Sequence, residues 1–233
     1  ANFACTMGKD KLKRWKENES FDHVFEPNLQ EAVRGVDGKM KGKWSEIFQN
    51  DNPITLELGC GKGEYTVGLA RQHPNRNFIG LDIKGHRFWR GAKTAKEDQI
   101  PNVAFLRTRL EFIERFFEKN EVSEIWITFS DPQPKDEKGT KRITSPFYIE
   151  KYKNILKPGS LINVKSDSVL LYDISKEGYI ESGYDIQLDS KDVYGDLVNR
   201  VNPELKEALE IKTFYEERWL KEGKKIHFLQ LKV

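Results

Sequence analysis

The run Ile54-Thr55-Leu56-Glu57-Leu58 passes without a break into Gly59-Cys60-Gly61-Lys62-Gly63, and no other feature restricts the fold as much. The short apolar run reads as a strand, and the glycines let the backbone turn tightly and approach a ligand with no Cβ in the way. The next segment carries Tyr65, Leu69 and Ala70 at helical spacing and stops at the turn signal His73-Pro74-Asn75. Strand and helix then alternate. Phe78–Leu81 ends at Asp82, a helix runs through Phe88, Trp89, Ala92 and Ala95, and Val103–Leu106 is the next strand. Leu110, Ile113, Phe116 and Phe117 form a helical face before the strand Glu124–Phe129. A helix over Phe147–Leu156 stops at Lys157-Pro158-Gly159, and Leu161–Lys165 is a fifth strand. Tyr184–Leu188 reads as a strand, followed by a long polar stretch to Pro203, a helix Thr213–Lys221 and a closing strand Ile226–Val233. This spacing implies a parallel sheet with helices on both faces. The fold class is α/β, a Rossmann-like, mostly parallel sheet of seven strands with an antiparallel C-terminal edge strand.

Residues 1–50 lack this alternation and read as an N-terminal arm lying on a domain formed by residues 51–233. Ala1–Thr6, ahead of Met7, read as a remnant foreign to the domain and are set aside. The arm contains Lys9, Lys11, Lys13, Arg14 and Lys16, a basic run that is either a solvated face or an RNA contact. The full chain of 233 residues has 39 Lys and Arg against 37 Asp and Glu, so nucleic-acid affinity would have to come from local clustering. Two cysteines, Cys5 and Cys60, exclude a disulfide scaffold or a zinc site, and no metal is expected. No apolar run approaches the ~20 residues of a membrane span, and a soluble cytoplasmic protein is expected, monomer or homodimer.

Asp82 ends the second strand about 20 residues after the glycine loop, where an acid can accept hydrogen bonds from ribose hydroxyls. A dinucleotide fingerprint requires a third glycine at the position of Glu64, whose charge sits badly beside a pyrophosphate. S-adenosylmethionine has no phosphate and carries a cationic sulfonium and ammonium. Glu57 and Asp82 around Gly59 and Gly61 suit it better than a dinucleotide. Downstream, the fourth strand ends in Ser130-Asp131-Pro132-Gln133-Pro134-Lys135, followed by Lys138, Lys141 and Arg142. The prolines stiffen this segment and bias Asp131 and Gln133 away from helix. The cations are candidates for phosphate contacts, which position RNA without reading its sequence.

Taken in order, ELGCGKGEYT, NFIGLDIKG, FSDPQPK with a following KR, KSD and the late TFYE resemble the bacterial tRNA (guanine-N7)-methyltransferases, which modify a variable-loop guanosine. The resemblance runs from about Pro53 to the C-terminus. It implies the class I methyltransferase fold, S-adenosylmethionine as cofactor and tRNA as partner. It also implies that Glu57 and Asp82 bind the cofactor and that Asp131 is catalytic and lies near it. Lys135 and Asp167 would contact substrate, and Thr213 and Glu216 would bind the guanosine. This chain departs from the family pattern at Gln133, usually Trp, and at Ser166, usually Thr. Arg109 stands where the family has Asp or Asn as a third cofactor residue, and a pure donor cannot replace that acceptor. Arg109 keeps open a second reading, an RNA-binding protein on a methyltransferase scaffold that no longer methylates; a methyltransferase for another substrate is a third.

Overall fold

The structure, a computed structural model, describes residues 3–34 and 39–233. Of the segment set aside above, Ala1 and Asn2 lie outside the described residues. The chain opens with α1 (Phe3–Asn18), β1 (Val24–Phe25), α2 (Leu29–Arg34) and α3 (Trp44–Phe48). There follow β2 (Ile54–Leu58), α4 (Glu64–Gln72), β3 (Asn77–Asp82), α5 (Gly85–Glu97), β4 (Val103–Arg107) and β5 (Val122–Thr128). The last third comprises α6 (Pro146–Lys153), β6 (Leu156–Ser166), α7 (Val169–Glu181), β7 (Asp185–Ser190), α8 (Pro203–Glu210), α9 (Phe214–Lys221) and β8 (His227–Lys232).

These strands form one eight-stranded sheet in the order β1-β4-β3-β2-β5-β6-β8-β7. All pairs from β1 to β6 are parallel, and β8 runs antiparallel to both β6 and β7. The central strand β2 is buried at every residue, as a parallel strand covered by helices on both faces must be. Leu56 and Leu58 point into a core shared with Ile125, Ile127, Tyr152 and Trp44. On the opposite face, Trp126, Phe105 and Phe228 pack with residues of α4, α5 and α8, including Tyr65, Phe88 and Leu209.

The sheet has eight strands rather than the seven expected. The added one, β1, pairs Val24 with Phe105 and Phe25 with Leu106; two residues are too short for an alternating pattern to register. The C-terminal strand is antiparallel, as expected, and lies one place in from the edge. Its burial explains this: Phe228, Leu229 and Leu231 are all buried, whereas β7 alternates exposed and partly covered residues and serves as the edge. The helix expected over Phe147–Leu156 is α6, which starts at Pro146 behind Ser145 and yields to β6 at Leu156. Proline at the first helical position fixes that start, since its missing N–H has no helical partner there anyway. Leu110–Arg115 is a 3-10 turn, not an α-helix. The polar stretch before Pro203 conceals a signal for α8: the Asn202 side chain accepts from Leu205 N at 2.8 Å, ahead of Pro203.

The first fifty residues contribute to the core directly. Trp44 is fully buried, stacks on Phe117 with ring centroids 5.3 Å apart, and donates its indole N–H to Phe116 O at 2.8 Å. Removing so large a side chain leaves a cavity and an unpaired carbonyl. Trp44→Ala should therefore lower the unfolding free energy by about 3–5 kcal/mol, read from urea melts. A change below about 1 kcal/mol would show that this segment merely rests on the domain.

Candidate active site

The glycine loop leaves β2 at the switch point, where the chain has filled the sheet in one direction through β3 and β4 and then in the other through β5 and β6. Ligand clefts of open α/β sheets form at the carboxyl ends of strands at such a point. Here the loop backbone is tied down: Gly59 N and Cys60 N both donate to Leu81 O, at 2.8 and 2.9 Å. Gly59, Gly61 and Gly63 all take positive φ, which L side chains rarely adopt. At Gly63 a Cβ would come within 2.6 Å of the Phe105 ring, whereas at Gly61 it would meet nothing within 4 Å, on the open side of the loop.

A cleft of about 470 Å³ opens beside this loop. Gly59, Asp82, Thr108, Asp131, Gln133 and Tyr148 are among its walls, with Arg109, Glu111 and Lys141 at its charged positions. Asp82 fixes both sides of the entrance, its Oδ2 accepting from Gly61 N at 3.0 Å and its Oδ1 from Lys84 N at 2.8 Å. Arg109 forms an exposed ion pair with Glu111 at 2.9 Å. The donor that breaks the family pattern thus comes with an acceptor two residues on, in the same cleft.

Glu57 is placed differently. It is buried behind the loop on the face opposite Leu56 and Leu58, where Thr66 Oγ1 donates to one carboxylate oxygen and Thr128 Oγ1 to the other at 2.5 Å. Burial raises its pKa to about 7, and the Asp82 charge works in the same direction against the two hydroxyls. The folded protein therefore holds this proton more tightly than the unfolded chain does. The group's contribution to stability is greatest below pH 4.5 and falls as pH rises toward 7. Glu57→Gln should remove that fall, so that the variant gains on the wild type by on the order of 1–3 kcal/mol between pH 5 and 8 in thermal melts. A constant difference across this range would assign the titration to another group.

Asp131 lies on the loop after β5, exposed on the cleft wall, and its Oδ1 accepts from Gln133 N at 2.9 Å. Phe129 and Gln133, on either side, both have positive φ (52° and 46°), an uncommon state for residues with a Cβ. Such a conformation costs of order 1–2 kcal/mol per residue and persists only where the surroundings enforce it. Arg142 enforces it at Gln133, whereas Phe129 is held by its N–H, which donates to Lys165 O at 2.8 Å. The buried Arg142 guanidinium donates to Pro132 O at 3.0 Å, Gln133 O at 3.3 Å and Asp136 O at 3.2 Å. Asp136 closes the loop from the other end by accepting from the backbone N–H groups of Thr140, Lys141 and Arg142, which hold its carboxyl below the usual range against the opposing effect of desolvation.

Arg142, expected among the phosphate contacts, is buried and uses three of its five guanidinium N–H groups on main-chain carbonyls, which makes it a brace of the Asp131 loop. Lys135 and Lys138 are exposed on this loop without lining the cleft, and Lys141 lines it. Arg142→Ala should lower kcat for the methyl transfer that the resemblance implies by at least tenfold while leaving the salt dependence of the implied RNA binding unchanged, measured by steady-state kinetics and mobility shifts. A flattened salt dependence would return Arg142 to the phosphate-binding set.

The remaining expected residues converge at the ends of β6 and α9. Thr213 caps α9, its Oγ1 accepting from Glu216 N at 3.2 Å, so Thr-x-x-Glu acts as half of a capping box. The Glu216 carboxylate turns away from the cap to a fully buried pair with Lys165 at 2.8 Å, and Tyr194 OH donates to the same oxygen at 2.7 Å. Lys165 also donates to Leu209 O at 2.7 Å and Ile211 O at 3.1 Å, which satisfies all three ammonium protons. Burial pushes its pKa down to about 8 despite the neighbouring carboxylate. Asp167, two residues on, lies 3.7 Å from Lys224 Nζ. Between the cap and the buried acid, Phe214 and Tyr215 are 57% and 51% exposed, and Lys62 of the glycine loop stands over both rings at 4.3 and 5.2 Å. Sequence reasoning passed over Lys165, Tyr194 and Asp136. The one available signal was a lysine ending a largely apolar strand, which requires a partner if it is buried.

Among the described residues, no helix is long and apolar enough to cross a membrane, and no group of three or more His, Cys, Asp or Glu is placed to hold a metal. A switch-point cleft under a glycine loop, with acids but no phosphate fingerprint, defines a Rossmann-like methyltransferase. Comparison agrees: residues 51–229 match the family described as putative methyltransferase. The solved 16S rRNA methyltransferase KamB shares the fold, with a TM-score of 0.59 at 19% identity over 82% of this chain and 93% of that one. The chain is 49% identical over 226 residues to the tRNA (guanine-N(7)-)-methyltransferase of Christiangramia forsetii, covering 97% of this chain and 98% of that protein. It is 47% identical to the same enzyme of Bacteroides fragilis, covering 96% of this chain and 86% of that protein. The chain belongs to the tRNA (guanine-N(7)-)-methyltransferase family.

Proposed function

We propose that this protein transfers the methyl group of S-adenosylmethionine to N7 of a guanosine in the variable loop of tRNA. The observation that carries this reading is the placement of Asp131 on the wall of the cleft that Asp82 and the glycine loop close, within a chain that matches tRNA (guanine-N(7)-)-methyltransferases almost end to end. The cleft offers the cofactor the acceptors Asp82 and Asp131 and open space over Gly61, beside the cations Lys84, Arg87, Lys141 and Arg109, the last paired with Glu111. When bound, S-adenosylmethionine supplies an activated methyl group whose bond to sulfur breaks, with the electron pair leaving on sulfur, as the bond to N7 forms.

The protein's own residues have modest chemical work. Guanine N7 offers an in-plane lone pair and needs no proton removed, so most of the rate gain comes from positioning, worth up to about 7–11 kcal/mol. Positive charge passes onto the purine, and a carboxylate held close to it stabilises that change. Asp131 takes this role, and its braced loop keeps the carboxylate in place without reorganisation. Lys135 and Asp167 serve as substrate contacts, as the family resemblance implies. Thr213 and Glu216 act by building the start of α9, which presents Phe214 and Tyr215 to the guanosine; base–aromatic stacking contributes about 1–3 kcal/mol per base.

The test is transfer of labelled methyl from S-adenosylmethionine to unmodified tRNA, followed by nucleoside analysis. We expect 7-methylguanosine as the product and a fall in kcat of at least a hundredfold in Asp131→Asn with tRNA binding retained. Full turnover in that variant would remove Asp131 from the chemistry. Absence of transfer with intact tRNA binding would favour the scaffold that no longer methylates, the reading that Arg109 keeps in view.

A further inference from the structure

From the cofactor cleft outward, α5 carries a cation at every third position: Lys84, Arg87, Arg90, Lys93 and Lys96. Residues three apart form an oblique ridge on an α-helix, with one cation per ~4.5 Å of axis. The first two members, Lys84 and Arg87, line the cleft itself, so the ridge begins at the site of the chemistry. Glu97 is the one acid between residues 84 and 97.

Helix α1 lies against this ridge and extends it. Asn18 donates to Gly85 O at 3.1 Å, and Trp89 Nε1 donates to Glu17 at 2.8 Å. The Arg14 guanidinium stands over the Trp89 ring at 5.0 Å, and Trp15 meets the His86 ring edge-on at 6.3 Å. Docked in this way, α1 leaves Lys11, Lys13 and Lys16 exposed. Across residues 10–17 and 84–97 there are nine cations against Asp10, Glu17 and Glu97, whereas the whole chain is only +2. The rest of the protein is therefore net negative, and the positive charge is concentrated beside the cleft. Among the described residues, Lys93 pairs with Glu17, while Lys11, Lys13, Lys16, Lys84, Arg87 and Arg90 form no ion pair. His86 registers the resulting field: burial lowers its pKa, and Lys11, Arg87, Lys84 and Arg14 all push it in the same direction.

We infer that the α1–α5 face is a tRNA-backbone contact surface, separate from the Asp131 loop, whose cationic ridge leads a phosphate strand into the cleft past Lys84 and Arg87. The inference rests on the proposed activity and adds where the polynucleotide lies. An RNA strand is favoured over an acidic protein because the cations of α5 are evenly spaced along its axis and end at a nucleoside-modifying site. Uncompensated cations that neutralise phosphates release counterions, so each contributes to the salt dependence of binding.

The test combines Lys13→Ala, Lys16→Ala and Arg90→Ala, three exposed residues outside the cleft with no hydrogen bond or ion pair among the described residues. A control variant, Lys119→Ala with Lys157→Ala, removes cations beside Ile54, at the opposite end of the sheet. Both are compared with the wild type for tRNA binding across a salt series, methyl-transfer kinetics on tRNA and S-adenosylmethionine affinity by calorimetry. The triple variant should raise KM for tRNA at least tenfold and flatten the slope of log K against log salt by about 2, since each phosphate left without its cation removes about 0.7–0.9 from that slope. Its kcat and cofactor affinity should stay within twofold of the wild type, which also shows that it is folded. Lys13→Arg with Lys16→Arg should restore binding to a variant that keeps Arg90, and the control should match the wild type. An unchanged slope and KM in the triple variant, with a wild type that methylates tRNA, overturns this surface and leaves the function standing. A wild type that neither binds nor methylates tRNA overturns both.

Discussion

Parallel strands cannot be joined by tight turns, so each must be followed by a crossover that places a helix on one face of the sheet. The chain enters the centre at β2, fills β3 and β4 on one side, and then returns to fill β5 and β6 on the other. Because these crossovers diverge, the carboxyl ends of β2 and β5 cannot both be covered, and a gap remains between their following segments. The glycine loop, Asp82, the Asp131 loop and the first turn of α5 all border that gap.

Glu57 and Lys165, both buried near this edge, are managed differently. Glu57 is paired with neutral hydroxyls, which lowers the cost of its burial without supplying a countercharge, so its proton is held near neutral pH. Lys165 has both a countercharge and two carbonyl acceptors, and its pair with Glu216 binds α9 to the sheet. Removing one member of such a pair costs more than the pair itself contributes, because the other is left charged and dry. The pair is thus better understood as fixing where α9 must sit than as adding stability. That position brings Phe214 and Tyr215 over Lys62.

How much of this was legible in the sequence follows from the range of the interactions. The strands β2 to β5 and their helices are local periodic patterns, and both the α/β class and the glycine loop could be read directly. The Asp131 segment was visible through its prolines. Its brace was not, because Arg142 looks like any other cation in a basic run until its distance from three carbonyls is known. Glu216 was recognisable through the resemblance of TFYE to the family's late motif, yet its partner lies 51 residues earlier in β6. The position of β8 depended on strand order, which periodicity does not encode.

The sheet ends in β1 on one side and β7 on the other. An open edge of unpaired N–H and C=O groups invites another chain to add a strand, and proteins limit that hazard with short, irregular or charged edges. Here β1 offers only Val24 and Phe25 beside β4. On the far side, β7 carries Asp185 and Asp189, and its register with β8 shifts between Ile186 and Leu188. Neither margin is a long, flat template. A second copy of this chain would therefore meet the first through helices and loops, with each sheet kept within its own chain.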